Sequence, residues 1–386
     1  MPHMEHALRS LTDRIQAARV DGTALHIRGG GSKDFLGVSH GELLDTRVLN
    51  GVISYEPTEL VVTVAAGTPL HELEALLAEK GQYLPFEPPH FTWSGTATAT
   101  VGGMVASGLA GPARASAGGV RDYVLGLKLL NGLGEHLTFG GQVMKNVAGY
   151  DVSRLMVGAR GTLGLLTEVS LKVLPVPPAE ATLCFALEQA EALEHLHRWG
   201  GEPLPLNASN WVMDDSDPMQ PAKPSLYVRL RGAVAAVEAA CQRMLAEVPG
   251  QRLDNAQTAP DWNLCRNQQL PFFTAKPQQG NVLWRLSVPQ TAPVLALPSQ
   301  PLIDWHGALR WLWAPLSAQA ELQAVAREAG GRASAFVAPA GGVAAASTLR
   351  PESEVLQTIS QRLKASFDPQ GIFNPGLTPD ANQTRA

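Results

Sequence analysis

The sequence predicts an α+β protein in which a glycine-rich region of strands and turns precedes an antiparallel sheet backed by helices. The stretch from Gly95 to Pro175 carries 16 of the 37 glycines, which is typical of tight turns between short strands. Beyond Pro178 the order strand, helix, strand, strand, helix occurs, and a second run of similar content follows. An antiparallel sheet backed by helices fits both runs.

Size and composition describe a globular protein of two or three domains. The 386 residues are 45% hydrophobic and 17% charged, and the formal net charge is −5. Because no run rich in Lys and Arg occurs, the sequence lacks the electrostatic footprint of a nucleic-acid-binding protein. It also lacks an apolar run of about 18 residues, so we expect no transmembrane segment.

The N-terminal segment predicts a surface helix and not a signal peptide. Leu8, Leu11, Ile15 and Ala18 fall on one helical face among charged residues. We therefore expect a cytoplasmic protein with reduced thiols. The cysteines are three in number and lack C-x-x-C spacing, which predicts no metal site: Cys184, Cys241 and Cys265.

Short strands and one helix lead from the first helix into the glycine-rich stretch. Strands are predicted at residues 24–27 and, as a pair, between 52 and 65, and Thr68 with Pro69 predicts the start of a helix that Gly81 ends. Within the stretch, a short helix at 104–109 precedes strands at 122–131, 135–141 and 165–174. Prolines 175, 177 and 178 mark a domain boundary.

The second half predicts an alternation of strands and helices. Its first run has strands at 181–187, 207–215 and 225–231 with helices at 188–201 and 235–248. The second run has strands at 281–288, 293–298, 309–315 and 333–339, and a helix at 318–330. A helix at 351–365 and a turn-rich tail ending in F-N-P-G complete the prediction.

Two glycine-rich loops are candidate phosphate sites. RGGGSKDF follows the strand at 24–27, and its amides, Ser32, and Lys33 or Arg28 would suit a phosphate, although it fits neither the Walker nor the Rossmann pattern. The second loop, TVGGMVASG, lies in a stretch between Glu87 and Asp122 that contains no carboxylate to repel an anion. Main-chain N–H groups of such loops form anion-binding nests. A run of structural turns without a ligand remains the alternative.

Six motifs in order resemble the FAD-binding domain of the vanillyl-alcohol oxidase and D-lactate dehydrogenase superfamily. They are RGGGS after a strand, TVGGMVASG, RDYVLGLKLLNGLG, KNVAGYD, GTLGLLTEVSLK and the closing FNPG. The run that begins VMKNVAGYD is most similar to the family of smaller, E-type FAD-binding subunits of bacterial glycolate oxidase. Members of that family work with a larger catalytic flavin subunit and an iron–sulfur subunit.

The resemblance implies a division of the chain into three parts. A PCMH-type FAD-binding domain of two subdomains would occupy residues 1–177, and a ferredoxin-like cap would occupy residues 178–345. Residues 346–386 would return to the FAD domain. The resemblance also implies a cytoplasmic protein that its partners hold at the periphery of the inner membrane.

The resemblance further implies which residues bind FAD. The diphosphate would lie against the two glycine loops, which contribute Arg28, Gly29, Gly30, Gly31, Ser32, Lys33, Thr100, Val101, Gly102, Gly103, Ser107 and Gly108. The adenosine part would lie along Gly161, Thr162 and Leu165. The isoalloxazine would lie near Lys145, Asn146 and Tyr150, with Asn374 closing over it.

Two departures from the superfamily pattern bear on the chemistry. Relatives with covalent flavin carry a His where this chain has Ser32 and Lys33, so FAD is expected to be non-covalent. The H-x-G-D-G-N-x-H segment of catalytic 2-hydroxy acid dehydrogenases is absent. Arg285 and Arg310 lie in apolar strands and could each hold a carboxylate, with a strand-edge arginine whose head lies in water as the alternative. Tyr150 could donate a hydrogen bond near the ring, with packing against the flavin as the alternative.

Three functions follow, in order of preference. The first is an FAD-binding subunit of a glycolate oxidase complex that oxidises 2-hydroxy acids, relaying electrons or supporting a larger catalytic subunit. The second is a free-standing FAD-dependent 2-hydroxy acid dehydrogenase. The third is a structural subunit that has lost the cofactor, which the many glycines argue against because each one weakens the fold.

Overall fold

The computed structural model describes residues 2–37, 40–92, 97–141, 151–216, 219, 221–274, 280–337 and 354–377. The helices in this part of the chain are α1 (Pro2–Asp21), α2 (Leu70–Ala78), α3 (Val101–Ser107), α4 (Arg114–Ala117), α5 (Val152–Leu155), α6 (Gln189–Gly200), α7 (Val234–Glu247), α8 (Asn255–Arg266), α9 (Pro271–Thr274), α10 (Gln319–Glu328) and α11 (Glu354–Phe367).

The strands form two larger sheets and two small ones. In chain order they are β1 (Leu25–Arg28), β2 (Glu42–Asp45), β3 (Val52–Glu56), β4 (Val61–Ala65), β5 (Gln82–Tyr83), β6 (Val124–Leu130), β7 (His136–Gly140), β8 (Leu165–Lys172), β9 (Leu174–Pro175), β10 (Ala179–Phe185), β11 (Leu206–Asp214), β12 (Lys223–Gly232), β13 (Gly250–Leu253), β14 (Asn281–Ser287), β15 (Leu302–Asp304), β16 (Leu309–Pro315) and β17 (Arg332–Val337).

The N-terminal region, residues 2–175, is built on a five-stranded antiparallel sheet. Its strand order is β3-β4-β8-β6-β7. Apolar residues of α2 and α3, including Leu73 and Met104, pack against strand residues such as Val64 and Val169 in one buried core. This packing brings the glycine-rich start of α3 to the end of β4.

A second, smaller core joins the two ends of the chain. The parallel pair β1-β2 packs under α1, whose Leu11 and Ile15 are buried as their helical spacing predicts. The C-terminal residues Ile372 and Phe373 complete this core. The tail therefore returns to the first strand.

The second half forms one eight-stranded antiparallel sheet, here called the cap sheet. Its order is β13-β10-β12-β11-β15-β16-β14-β17, so the two predicted runs are joined where β11 pairs with β15. The strand expected at residues 293–298 is wrong, since the chain is irregular there, and four elements of this half were not predicted: α8, α9, β13 and β15. Joining the two runs pairs strand edges that would otherwise lie open.

Strand register gives the cap sheet two different faces. One face is apolar and packs against α6, α7 and α10, with Trp211 and Trp284 at its centre. The other carries polar residues at alternating positions, including Asn210, Asp304 and Arg285. Helix α8 and the N-terminal region cover this polar face.

A buried ion cluster joins the N-terminal region to the cap sheet. The Glu87 carboxylate accepts hydrogen bonds from Arg229 at 2.6 Å, from Arg231 at 3.2 Å, and from the Ala113 N–H at 3.2 Å. Close by, the Arg266 guanidinium donates to the Pro88 carbonyl at 2.7 Å. Because each arginine comes from the cap, the two halves are held in one arrangement.

Candidate functional site

The two glycine loops meet in one cleft of the N-terminal region, with a volume of about 890 Å³. The cleft brings together most of the residues that the sequence predicted for FAD. These are Arg28, Gly29, Gly30, Gly31, Ser32, Lys33, Thr100, Gly102, Gly103, Ser107, Gly161 and Asn374.

Close backbone contact between the loops explains why glycine is needed in the first of them. The Thr98 N–H donates to the Gly30 carbonyl at 3.1 Å, and a Cβ on Gly30 would overlap the Thr98 carbonyl oxygen. A Cβ on Gly29 would lie 2.5 Å from the Thr100 hydroxyl. Glycine therefore allows the loops to form one continuous wall.

The amides at the start of α3 are used within the protein. The Val101 N–H bonds to the Thr68 carbonyl, the Gly102 N–H to the Ala66 carbonyl, and the Gly103 N–H to the Thr100 hydroxyl. A ligand beside the second loop would therefore contact glycine residues without side chains and the Ser107 hydroxyl, while these three amides stay bonded within the protein.

Basic side chains dominate the charge of the cleft. Among the described residues that line it, Arg28, Lys33 and Arg160 are cationic and Asp34 is the one carboxylate. Asp34 is ion-paired with Arg28 at 2.6 Å. Burial lowers the pKa of Lys33 to about 8, and Arg266 contributes in the same direction, so Lys33 is still mostly protonated at pH 7. The cleft therefore suits a ligand that carries two negative charges.

The C-terminal tail forms part of the cleft wall. Asn374 accepts a hydrogen bond from the Ile27 N–H at 2.7 Å and donates to the Arg160 carbonyl at 2.7 Å. Behind it, the buried Asp368 carboxylate accepts from the N–H groups of Ile372 and Phe373. These bonds hold the tail against the first strand and beside the first glycine loop.

Several residues predicted for FAD lie elsewhere. Val101 and Leu165 are buried in the two cores, Thr162 bonds to the Ala159 carbonyl, and Gly108 ends α3 in the left-handed conformation. None of these four lines the cleft. Lys145, Asn146 and Tyr150 fall outside the described residues.

The sequence analysis missed part of the lining. Thr46, Ala66, Thr98, Ala106 and Gly164 complete the walls between the predicted residues. Ala106 and Gly164 lie inside the motifs TVGGMVASG and GTLGLLTEVSLK but were not singled out, whereas Thr46, Ala66 and Thr98 lie outside the six motifs and reach the cleft through contacts between distant parts of the chain. The hydrogen bond of Thr98 to Gly30, across 68 residues of sequence, is an example.

Arg285 lies away from the cleft, in a second, small cavity between the N-terminal region and the polar face of the cap sheet. Its guanidinium stacks on the indoles of Trp305 and Trp311, with centroid distances of 5.1 and 5.9 Å. Burial, with smaller contributions from Arg114 and other nearby arginines, lowers the pKa of Arg285 to about 10. We call this space the Arg285 cavity.

Asp304 is an acidic residue of the same cavity that the sequence analysis did not single out. Its carboxylate accepts hydrogen bonds from Asn210 at 2.7 Å and from the Trp311 indole at 3.1 Å, and the Cys265 thiol lies 3.8 Å away. Burial raises the pKa of Asp304 to about 6, while these hydrogen bonds favour the ionised form. The cavity therefore combines a cation with a carboxylate of shifted pKa.

The strand leading out of this cavity is anchored by His306. Its ring contacts Ser209 of the cap sheet at 3.0 Å and Ser116 of α4 at 2.9 Å. The preceding Trp305 donates its indole N–H to the Gly111 carbonyl at 2.9 Å. Trp305, His306 and Gly307 all have positive φ, so this sharp turn places two side chains against the N-terminal region.

Other site classes receive no support from the described residues. Their His, Cys, Asp and Glu side chains do not gather in groups of three that could bind a metal ion. No helix within the described ranges has the length and apolarity to span a bilayer. The three cysteines are free thiols.

Known proteins show similarity along nearly the whole chain. A family model described as an FAD binding domain matches residues 8–140. Over 370 residues the chain is 44% identical to the glycolate oxidase subunit GlcE of Escherichia coli (strain K12), which covers 95% of this chain and 96% of that protein.

Two further similarities are partial or structural. The chain is 33% identical over 144 residues to the glycolate oxidase subunit GlcD of Bacillus subtilis (strain 168), covering 37% of this chain and 30% of that protein. A solved structure of alkyldihydroxyacetonephosphate synthase matches with a TM-score of 0.64 at 15% identity, covering 95% of this chain and 75% of that chain. This likeness confirms the predicted fold class.

Proposed function

Because the chain belongs to the family of the glycolate oxidase subunit GlcE, we propose that it is the FAD-binding subunit of a glycolate oxidase complex that oxidises glycolate and related 2-hydroxy acids. The cleft supports this function, since cationic side chains and glycine walls fit a dinucleotide diphosphate. FAD supplies the hydride acceptor when it is bound. Without a His beside Ser32, the cofactor is held by non-covalent contacts.

The details of the FAD contacts belong to the proposal. The diphosphate would lie against Gly30, Gly103 and Ser107, with Lys33 and Arg160 as its counter-charges. Gly161 would lie along the adenosine, and Asn374 near the ring. Lys145, Asn146 and Tyr150 keep their proposed place beside the isoalloxazine. Val101, Gly108, Thr162 and Leu165 would support the walls from behind.

The partners and domains also belong to the proposal. A larger catalytic flavin subunit would be the partner of this chain in the complex. The sequence similarity between this chain and a GlcD subunit supports a partner that is related to it. An iron–sulfur subunit would accept the electrons, and these partners would hold the protein at the inner membrane. The division at residues 177–178 and 345–346 separates the FAD-binding part, the cap and the returning tail.

A negative charge introduced inside the cleft tests FAD binding. Gly103 lines the cleft, and a Cβ there would approach the Thr100 hydroxyl at 3.1 Å and no other neighbour within 4 Å. A carboxylate about 4 Å from a phosphate charge costs about 4 kcal/mol near a protein surface. Gly103→Asp should therefore purify without the yellow flavin spectrum, whereas Gly103→Asn, which has the same size and no charge, should retain FAD.

Position 103 is a better choice than position 102. A Cβ on Gly102 would lie 2.9 Å from the Ala66 carbonyl oxygen, so a substitution there would disturb packing in addition to charge. Equal flavin content in the Asp and Asn variants of Gly103 would mean that no phosphate lies beside α3. A wild-type chain without flavin bands, even after incubation with FAD, would contradict the proposed function.

The second candidate function is direct oxidation of a 2-hydroxy acid by this chain. One observation favours it: Arg285, which the sequence suggested as a carboxylate ligand, lines a cavity between the N-terminal region and the cap sheet.

A further inference from the structure

Two buried polar atoms that line the Arg285 cavity have no hydrogen-bond partner among the described residues. They are Nε of Arg285, a donor, and Oε1 of Gln268, an acceptor. A buried polar atom without a partner destabilises the fold, because it has lost its hydrogen bonds to water and gained none in return. A donor and an acceptor left open in one space match a small ligand that carries an acceptor and a donor.

The guanidinium of Arg285 has no carboxylate partner within the described residues, and the charged groups that shift its pKa, Arg114, Arg160 and Arg332, are all positive. Arg114 stacks on the same Trp305 indole at 4.6 Å, and Arg266 lines the cavity, where its hydrogen bonds go to Pro88 and Glu74. An anion entering the cavity would therefore meet an unpaired cation. A carboxylate is the anion that an arginine binds with paired hydrogen bonds.

The opposite side of the cavity provides a proton acceptor. Asp304 lies on β15, and its hydrogen bonds to Asn210 and Trp311 fix the carboxylate in place. Trp311 is the cross-strand partner of Arg285, so one indole separates the acid from the cation. A molecule with a carboxylate at one end and a hydroxyl at the other matches a cation and a proton acceptor placed in this way.

The Arg285 cavity adjoins the FAD cleft. Helix α3 contributes Gly103 and Ser107 to the cleft, and the residues just after it, Leu109 to Pro112, line the cavity. The Lys33 ammonium, which belongs to the cleft, lies 5.8 Å from the centroid of Phe91, which belongs to the cavity. A cofactor that extends past α3 would therefore meet a molecule held by Arg285.

We infer that the Arg285 cavity binds a small 2-hydroxycarboxylate, with Arg285 holding the carboxylate and Asp304 accepting the hydroxyl proton. This inference rests on the proposed function for its hydride acceptor. As the O–H proton passes to Asp304, the C2–H bond breaks with transfer of a hydride to oxidised FAD, and C2 becomes a carbonyl. The product is a 2-oxocarboxylate. Asp304 thus takes the role of the base that the missing histidine segment would supply.

Calorimetric titration with oxalate tests the carboxylate site separately from turnover. Oxalate has two carboxylates and no C–H bond to oxidise, so it binds without reaction. The full-length chain should bind one oxalate, and Arg285→Met should weaken this binding about 10- to 100-fold, the effect of losing a charged hydrogen bond. Arg285→Lys, which retains the charge, should recover part of the affinity.

Arg310→Met is the matched control. Arg310 is a fully buried arginine of the cap sheet and, like the partly buried Arg285, has side-chain nitrogen without a partner among the described residues, but it does not line the cavity. Its replacement should leave oxalate affinity unchanged. Equal oxalate affinity in wild type and Arg285→Met would overturn the inference, as would equal losses in the Arg285 and Arg310 variants.

Anaerobic mixing with glycolate tests Asp304. Asp304→Asn should bind oxalate within a few-fold of wild type, while flavin reduction by glycolate should slow by about 10²- to 10⁴-fold, the usual contribution of a positioned base. Equal reduction rates in the two proteins would remove Asp304 from the assignment.

Oxalate titration also works on the chain without FAD. A chain that binds oxalate but no FAD would therefore contradict only the proposed function. A chain that contains flavin but does not bind oxalate would contradict only this inference.

Discussion

Replacing Glu87 by Gln should loosen the joint between the N-terminal region and the cap sheet. Glu87 is paired with Arg229, whose side chain is 2% exposed, and with Arg231. Glutamine retains a hydrogen-bond acceptor but removes the charge, so the buried Arg229 loses its counter-ion. Removing one partner of a buried pair costs about 3–5 kcal/mol, and the retained acceptor places this change near 3 kcal/mol.

Calorimetry at pH 7 measures this loss. For a unit of about 150–250 residues, each kcal/mol lowers Tm by about 2–4 °C, so the transition of the cap sheet should fall by about 6–12 °C. Glu238→Gln is the control, because Glu238 pairs with Arg252 at 2.7 Å on the exposed surface and its loss should leave Tm unchanged. Equal transition temperatures for wild type and Glu87→Gln would refute the reasoning.

The pH dependence of the difference in Tm between wild type and Glu87→Gln provides a second check. Burial alone would raise the pKa of Glu87, but Arg229 and Arg231 outweigh it and hold the pKa below its ordinary value of 4.5. A carboxyl group with a lowered pKa stabilises the fold at pH values above its ordinary pKa, and this contribution is lost as the pH falls through the lowered value. The gap in Tm between wild type and Glu87→Gln should therefore be full at pH 7 and narrow in acid.

Two further predictions concern the cleft and the turn beside the Arg285 cavity. Gly30→Ala should abolish FAD retention, measured as the ratio of flavin to protein absorbance, because its Cβ would overlap the Thr98 carbonyl oxygen, whereas Gly200→Ala, with open space around its Cβ, should retain full flavin. Retained flavin in Gly30→Ala would contradict the loop contact. Burial lowers the pKa of His306 to about 4. Between pH 6.5 and 4 the unfolded chain therefore binds a proton at this residue and the folded chain does not, so the free energy of unfolding should fall by about 3 kcal/mol over this range. Urea unfolding of His306→Gln should lack this part of the acid sensitivity, and parallel pH profiles for the two proteins would count against it.

The sequence predicted those parts of the fold and site that carry a local signal. The spacing of Leu11 and Ile15 predicted α1, and the two glycine loops predicted the cleft because glycines such as Gly30 and Gly102 closely approach the backbone of another segment. Helix α8 escaped prediction because Pro260 lies inside it and polar residues dominate its surface. Strand β15 has only 3 residues, too few for any periodicity, although it joins the two halves of the cap sheet.

The Arg285 cavity shows the limit of reading a single sequence. Arg285 could be singled out because a charged residue stands in an apolar strand. Asp304 and Gln268 carry no such mark, since they reach the cavity from β15 and from the loop after α8. Their meeting depends on the register of the sheet, which is set by cross-strand pairs such as Asn210 with Asp304.

The wall formed by Asn374 has a consequence for biosynthesis. The residue it bonds, Ile27, precedes it by 347 positions, so the nucleotide pocket is incomplete while the ribosome is still translating the cap. Cofactor loading is then expected only after Asn374 has emerged. Premature termination products would stay colourless and unable to serve in electron transfer, which makes flavin uptake a built-in check on complete translation.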